Sequence, residues 1–197
     1  MRFSIADILQ ELDATYAKTL LQLPRQDAFP FIHELATRID RGRRRVLLTS
    51  EMARREVLIA PILLEVADWI DATIEIEYGI DVNQYLKGSL DYYLRSSSQL
   101  LVVEAKQSDL THGFVQLAVE MIALDQWTQL PTPILYGAVT TGESWVFGAF
   151  DRTSRTITED LKIYRVPEDL EQLVSILAGI LSVEGSQSSF DTEAINN

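Results

Sequence analysis

The most constraining stretch of this chain is LLVVEAK, residues 100–106, in which four consecutive apolar residues run into Glu104-Ala105-Lys106. A run that short and apolar, preceded by the turn-forming SSSQ, reads as a buried strand rather than a solvent-washed edge. Charged side chains closing such a strand carry a desolvation cost and need a reason to be there. The preceding segment LDYYL, residues 90–94, reads as its hairpin partner. With a four-residue loop over 96–99, Arg95 faces Leu100, Leu94 faces Leu101 and Tyr92 faces Val103. Asp91 then falls opposite Glu104, where Cβ atoms stand roughly 4.5–5.5 Å apart. A loop of three or five residues would move this pairing by one. Two carboxylates so close repel unless a proton or cation lies between them. Lys106 projects from the same strand face as Glu104. An acid pair with an ammonium beyond it can hold a divalent ion and orient water against a phosphate; the plainer reading is an edge Asp beside a Glu–Lys surface pair.

The flanking sequence predicts a single mixed α/β domain. Ser4 is placed to cap a first helix of about 18 residues, with Ile5, Ile8, Leu9, Leu12, Tyr16 and Leu20 at helical spacing, ended by Pro24. PFIHELATRI reads as a second, shorter helix. A long third helix runs from a Ser50 cap through SEMARREVLIAPILLEVADWID, with a kink or break expected at Pro61. TIEIEYGIDV then alternates as a half-buried strand, and Gly88-Ser89 is read as a bend into LDYYL. SDLTHGFVQLAVEMIALDQW is a helix starting at Ser108 or Asp109. ILYGAVTT and SWVFGAFD form a hairpin through Gly142-Glu143, the second strand weakened at Gly148, and PEDLEQLVSILAGIL is the last helix. Residues 1–49 are therefore expected to be a helical extension packed on an α/β core over 50–183, with a flexible tail over 184–197. The aromatic side chains of Tyr92, Tyr93, Trp145 and Phe147 sit at strand positions and are expected to pack rather than stack on bases.

Composition narrows the function. The chain has no cysteine, which excludes disulfides, thiolate catalysis and Cys-based zinc sites. His33 and His112 are too few and too separated for a histidine metal site. No nucleophile elbow, phosphate-binding Gly-rich loop or dinucleotide fingerprint occurs. The start has no apolar signal core and no run is long enough for a membrane span, so a cytoplasmic location is expected. A net charge of −12 speaks against a generic nucleic-acid binder. The average conceals a segregation, because residues 38–55 carry seven arginines against Asp40 and Glu51, a net +5 that leaves −17 elsewhere. Arg43, Arg44, Arg45, Arg54 and Arg55 are either a solvated face or contacts to a nucleic-acid backbone.

Asp91, followed after an apolar strand by Glu104-Ala105-Lys106, resembles the core of the PD-(D/E)XK nuclease superfamily. SEMARREVLIAPIL resembles the helix before the catalytic strands in the nuclease domain of type I restriction motor subunits and in archaeal Holliday-junction resolvases. VVEAKQSDLTHGFVQLAVEMIAL is similar to the IEAK…G…Q…Y stretch of the same restriction domains. The resemblance covers roughly residues 50–150. It implies a restriction-endonuclease-like sheet and a magnesium-dependent endonuclease, with manganese as a substitute, acting on DNA more readily than RNA. Asp91, Glu104 and the Ala105 carbonyl would hold the metal, and Lys106 would position or activate the attacking water. Gln116 matches the family's Gln. Of the helix acids Glu51, Glu56 and Glu65, Glu56 is the preferred further member of the site. Where many relatives carry Tyr four residues after the Gln, this chain has Glu120, read as an exposed helix residue or an extra acid behind the site. A homodimer is expected if both strands are cut. The alternative is a catalytically silent nuclease-like fold serving as a protein- or nucleic-acid-binding module.

Overall fold

The computed structural model describes residues 4–27, 29–81, 87–97, 99–128 and 132–182. The proposed flexible tail lies outside them. In chain order the elements are α1 (Ile5–Glu11), β1 (Thr15–Thr19), α2 (Ile32–Arg45), α3 (Glu51–Arg54), a π-helical turn (Arg55–Ile59), α4 (Ala60–Ile70), β2 (Thr73–Asp81), β3 (Lys87–Arg95), β4 (Leu100–Ala105), α5 (Leu110–Trp127), β5 (Ile134–Thr140), β6 (Ser144–Asp151), β7 (Thr156–Arg165) and α6 (Leu170–Ser182). The seven strands form one sheet in the order β1-β7-β6-β5-β4-β3-β2. β1 with β7 and β4 with β5 are parallel, and the other neighbours are antiparallel. This is the expected mixed sheet flanked by helices. α2, α4 and α6 pack on one face around Leu58, Ile62, Trp145 and Leu177, while α1 and α5 pack on the other around Leu9, Phe114, Leu117 and Met121. Tyr92, Tyr93, Trp145 and Phe147 are all buried, as their strand positions suggested.

The local reasons follow from the sequence. Ser4 and Asp7 form a reciprocal capping box, and Ser50 Oγ accepts from the Ala53 amide at 3.1 Å. Asp109 caps α5 through the His112 amide at 2.9 Å. Pro61 sits at the start of α4 and can give no amide to the turn before it. The helix passes it without a break by widening to a π-turn, in which the Ala60 amide reaches back to the Arg55 carbonyl. α2 extends further than its apolar pattern, through Gly42 and the arginine run, and at Gly42, where a Cβ would stand 2.5 Å from Val57 Cγ1, only a glycine allows the close approach. Gly42 is the point where α2 crosses the π-turn.

Three expectations are corrected. The first helix ends at Glu11, not near Leu20, and Thr15–Thr19 is an edge strand pairing with β7. Asp13 takes a left-handed φ of 55° at the turn between them, which stops the helix and reverses the chain. Residues 1–49 therefore contribute a strand as well as helices. β7 had no counterpart in the sequence reading, since TITEDLKIYR mixes charge into its alternation. Gly88 and Ser89 lie inside β3, paired with Ile80 and Gly79, and make no bend.

α6 is clamped from outside by the segment after β1. The Gln26 amide donates to the Ser175 carbonyl at 2.9 Å, and Ser175 Oγ donates to the Gln26 carbonyl at 2.8 Å. A Cβ at Gly179 would stand 2.5 Å from the Arg25 backbone. Backbone cannot rotate away as a side-chain tip can, so Gly179→Ala is expected to lower unfolding stability by about 1–3 kcal/mol. Urea unfolding should show a lower midpoint with unchanged slope.

Candidate active site

The β3–β4 hairpin has the register expected from a four-residue loop, with Arg95 on Leu100, Leu94 on Leu101, Tyr93 on Val102 and Tyr92 on Val103. The loop closes with the Ser96 amide on the Gln99 carbonyl at 3.0 Å. Backbone pairing stops at Tyr92–Val103. One step further, Asp91 turns its side chain across the gap, and Oδ2 accepts the Ala105 amide at 2.8 Å. Asp91 and Glu104 are thus brought together as the hairpin reading required, with a side chain replacing the next backbone rung.

Along β4, Leu101, Val103 and Ala105 face one core and Leu100 and Val102 the other. Glu104 shares the parity of the second set and faces α5. It is 1% exposed. Its Oε1 accepts from Lys106 Nζ, and its Oε2 is buried with no hydrogen-bond partner. Burial pushes the Glu104 carboxyl up to about 7, the neighbouring Asp91 adding to the rise and Lys106 opposing it.

Lys106 runs against α5 at Gly113, where a Cβ would stand 2.7 Å from the lysine Cγ and 2.6 Å from Val139 Cγ2. Gly113 therefore fits the lysine stem between helix and sheet. The Lys106 amide donates to the Thr140 carbonyl at 2.8 Å, anchoring the backbone. Burial works against the ammonium charge, but Glu104, Asp91 and Glu51 together hold its pKa above the ordinary value.

α5 contributes Gln116 and Glu120, one turn apart, with Gln116 Nε2 donating to Glu120 Oε1 at 2.9 Å. Glu120 is not the exposed residue its position suggested. It is half-buried, its Oε2 is sealed without a partner, and burial with the charges of Glu104 and Asp91 raises it to about 8. It stands where the resembling stretch has Tyr, so only its own burial reveals it.

Of the three helix acids, Glu51 acts on Lys106, held near it because Gln107 Nε2 ties the end of β4 to the Thr49 carbonyl at 2.9 Å. Glu56 is exposed and acts on Tyr92. Glu65 pairs with Arg38 at 3.3 Å. Among the arginines, Arg43 and Arg54 hold Glu143 at 3.5 and 2.7 Å, Arg44 pairs with Asp40, and Arg45 is exposed. Arg55 is buried inside the site, 3.5 Å from Asp91 Oδ1 and 5.1 Å from the centre of the Tyr92 ring. Its placement depends on the π-turn, which no spacing in the sequence announces.

Among the described residues, Glu104 Oε2 and Glu120 Oε2 are the carboxylate oxygens of this cluster without a hydrogen-bond partner, while Asp91 Oδ1 has only the long contact to Arg55 at 3.5 Å. Among the described residues no group of three or more His, Cys, Asp or Glu is gathered for a metal. Two carboxylates with a main-chain carbonyl suit a hard cation that keeps several waters, as magnesium does. No family model matches the chain, and no curated protein matches it.

Raised carboxyl pKa values have a definite sign in stability. Between the ordinary 4.5 and the folded values near 7 and 8, the native state holds protons that the unfolded chain has released. Stability therefore falls as pH rises through this window. Without divalent metal, the melting temperature should drop from about pH 5 to about pH 8, and Glu120→Gln should flatten that slope. Gly113→Ala should displace the Lys106 stem or Val139, costing about 1–3 kcal/mol in urea unfolding.

Proposed function

We propose that this protein is a magnesium-dependent phosphodiesterase, an endonuclease on DNA more readily than RNA. The observation that carries the reading is a buried acid, Glu104, facing a second acid across the hairpin with an ammonium held against both. Asp91, Glu104 and the Ala105 carbonyl would hold the metal, whose role is to polarise the phosphate and supply positive charge to the transition state. Lys106 is fixed at the backbone by Thr140 and along its stem by Gly113, so its Nζ is positioned to orient a water for in-line attack. Gln116 keeps Glu120 directed along α5. Burial and the nearby Glu104 and Asp91 disfavour a charge on Glu120, which limits the negative charge it adds where a phosphate must approach.

A second reading is a binding module without catalysis, in which Arg55 and Lys106 neutralise Asp91 and Glu104 and no cation is needed. The two differ in metal linkage. In the nuclease reading, saturating magnesium stabilises the protein by about 2.7 kcal/mol at a hundredfold excess over Kd, and Asp91→Asn removes that gain. Asp91→Asn is to be compared without metal as well, since relief of carboxylate repulsion raises stability by itself. Supercoiled plasmid and labelled RNA should be nicked with magnesium or manganese, and Lys106→Ala should slow nicking by about 10²–10⁴-fold. No nicking of any substrate, together with no metal-linked stabilisation, would leave the binding module.

A further inference from the structure

Glu77 has a left-handed φ of 54° in the middle of β2, a conformation that a residue with a Cβ avoids. The ladder to β3 skips it: Ile76 pairs with Tyr92 and Tyr78 with Leu90, while Glu77 and Asp91 face each other unpaired. The strand changes sides there, since Ile74 packs with the α4 core while Tyr78 and Ile80 pack with the α5 core. Glu77 is thereby turned off both faces. Its side chain is 66% exposed and its Oε1 lies 3.7 Å from Arg55 Nη1.

Arg55 sits differently, with only 11% of its side chain exposed. Nη1 is 3.5 Å from Asp91 Oδ1, and Nε is 3.5 Å from the Tyr92 hydroxyl. Charge-assisted N–H···O bonds normally close to about 2.7–2.9 Å. Every contact to this guanidinium is longer, although it carries five donors in a planar fork. A buried cation is therefore surrounded loosely, on the solvent side by a strained and exposed carboxylate.

We infer that Arg55 is a receptor for a phosphate oxyanion of the nucleic-acid strand, and that Glu77 is a stand-in for that oxyanion, displaced when the strand binds. A phosphodiester offers two oxygens to the fork where Glu77 offers one at long range. Asp91 keeps the buried side of Arg55 in place throughout. The identity of the ligand rests on the phosphodiesterase reading; the exchange at Arg55 does not.

Binding of inorganic phosphate and of a short fluorescent oligothymidylate, both in EDTA, tests this without catalysis or metal. Glu77→Gln is expected to tighten both about tenfold, with Glu77→Gly giving a similar gain. Arg55→Lys should weaken both at least tenfold, and adding Glu77→Gln to it should recover nothing. Unchanged affinity in Glu77→Gln overturns the inference, and this variant alters an exposed side chain, so the result stands even if Arg55→Lys fails to fold. A gain in Glu77→Gly alone overturns it too, since backbone strain without charge would then be the cause. A gain for inorganic phosphate but not for the oligothymidylate overturns the assignment to a strand. Metal-dependent nicking with no effect of Glu77→Gln removes this inference and keeps the phosphodiesterase; the tenfold gain without nicking does the reverse.

Discussion

The site depends on one hydrogen bond, from the Ala105 amide to Asp91 Oδ2 at 2.8 Å. At that point β3 no longer pairs with β4 through its backbone, and a buried amide would otherwise be left unsatisfied at a cost of about 1–3 kcal/mol. Asp91 answers the amide with its side chain, which fixes the carboxylate beside Glu104 instead of leaving it free to turn outward. The same position on β3 faces Glu77, where the β2 ladder also lapses. Tyr92 and Leu94 pack with one core and Leu90 with the other, so the β2–β3 ribbon crosses from one face to the other at Glu77 and Asp91. A local failure of alternation thus places a polar cluster at the end of an otherwise apolar strand.

Close packing of α5 then gives that cluster its chemistry. Gly113 meets Lys106 and Val139, Gly137 meets Leu117 and Met121, and Gly148 meets Phe114, each at distances no Cβ would tolerate. These glycines bring the helix down on β4, β5 and β6 and exclude water from around Glu104 and Glu120. Desolvation is accordingly the largest cause of the raised pKa of both acids, ahead of repulsion from Asp91 at Glu104 and from Glu104 and Asp91 at Glu120. The shift follows from how near the helix lies.

What the sequence revealed divides along the same line. The hairpin was legible because LLVVEAK reads as a buried strand after the turn-forming SSSQ, and a four-residue loop sets Asp91 opposite Glu104; the sequence left a loop of three or five residues open, and the observed pairing is that of the four-residue loop. The mixed sheet followed from the change of hydrophobic period after Ile70. β1 was missed because Leu12, Tyr16 and Leu20 also fit a helical spacing, and the left-handed Asp13 that breaks it is one residue with no distinctive neighbours. Arg55 was read as one of five surface arginines. Its burial depends on a π-turn that shifts the helix register ahead of Pro61, and periodicity assumes that no such turn exists. For a related reason Glu120 was left between an exposed helix residue and an extra acid behind the site, and Glu77 was not singled out: each is defined by what packs on it from elsewhere in the chain.

The arginine segment also resolves differently from its net charge. Arg44 pairs with Asp40 at the surface, its side chain 69% exposed; such a pair is worth about 0–1 kcal/mol and exchanges readily for another anion. Arg43 and Arg54 share Glu143 on the β5–β6 turn, which secures the far wall of the site to the helix carrying Arg55. Arg55 is the most buried of the four, with 11% of its side chain exposed and Asp91 on its inner side. The four side chains therefore run from exposed to buried in the order Arg44, Arg43, Arg54 and Arg55. An anion approaching this face would meet the most exposed of these charges first and the most buried one last, beside the acids, so the overall excess of negative charge opposes approach at long range without deciding what happens at the site.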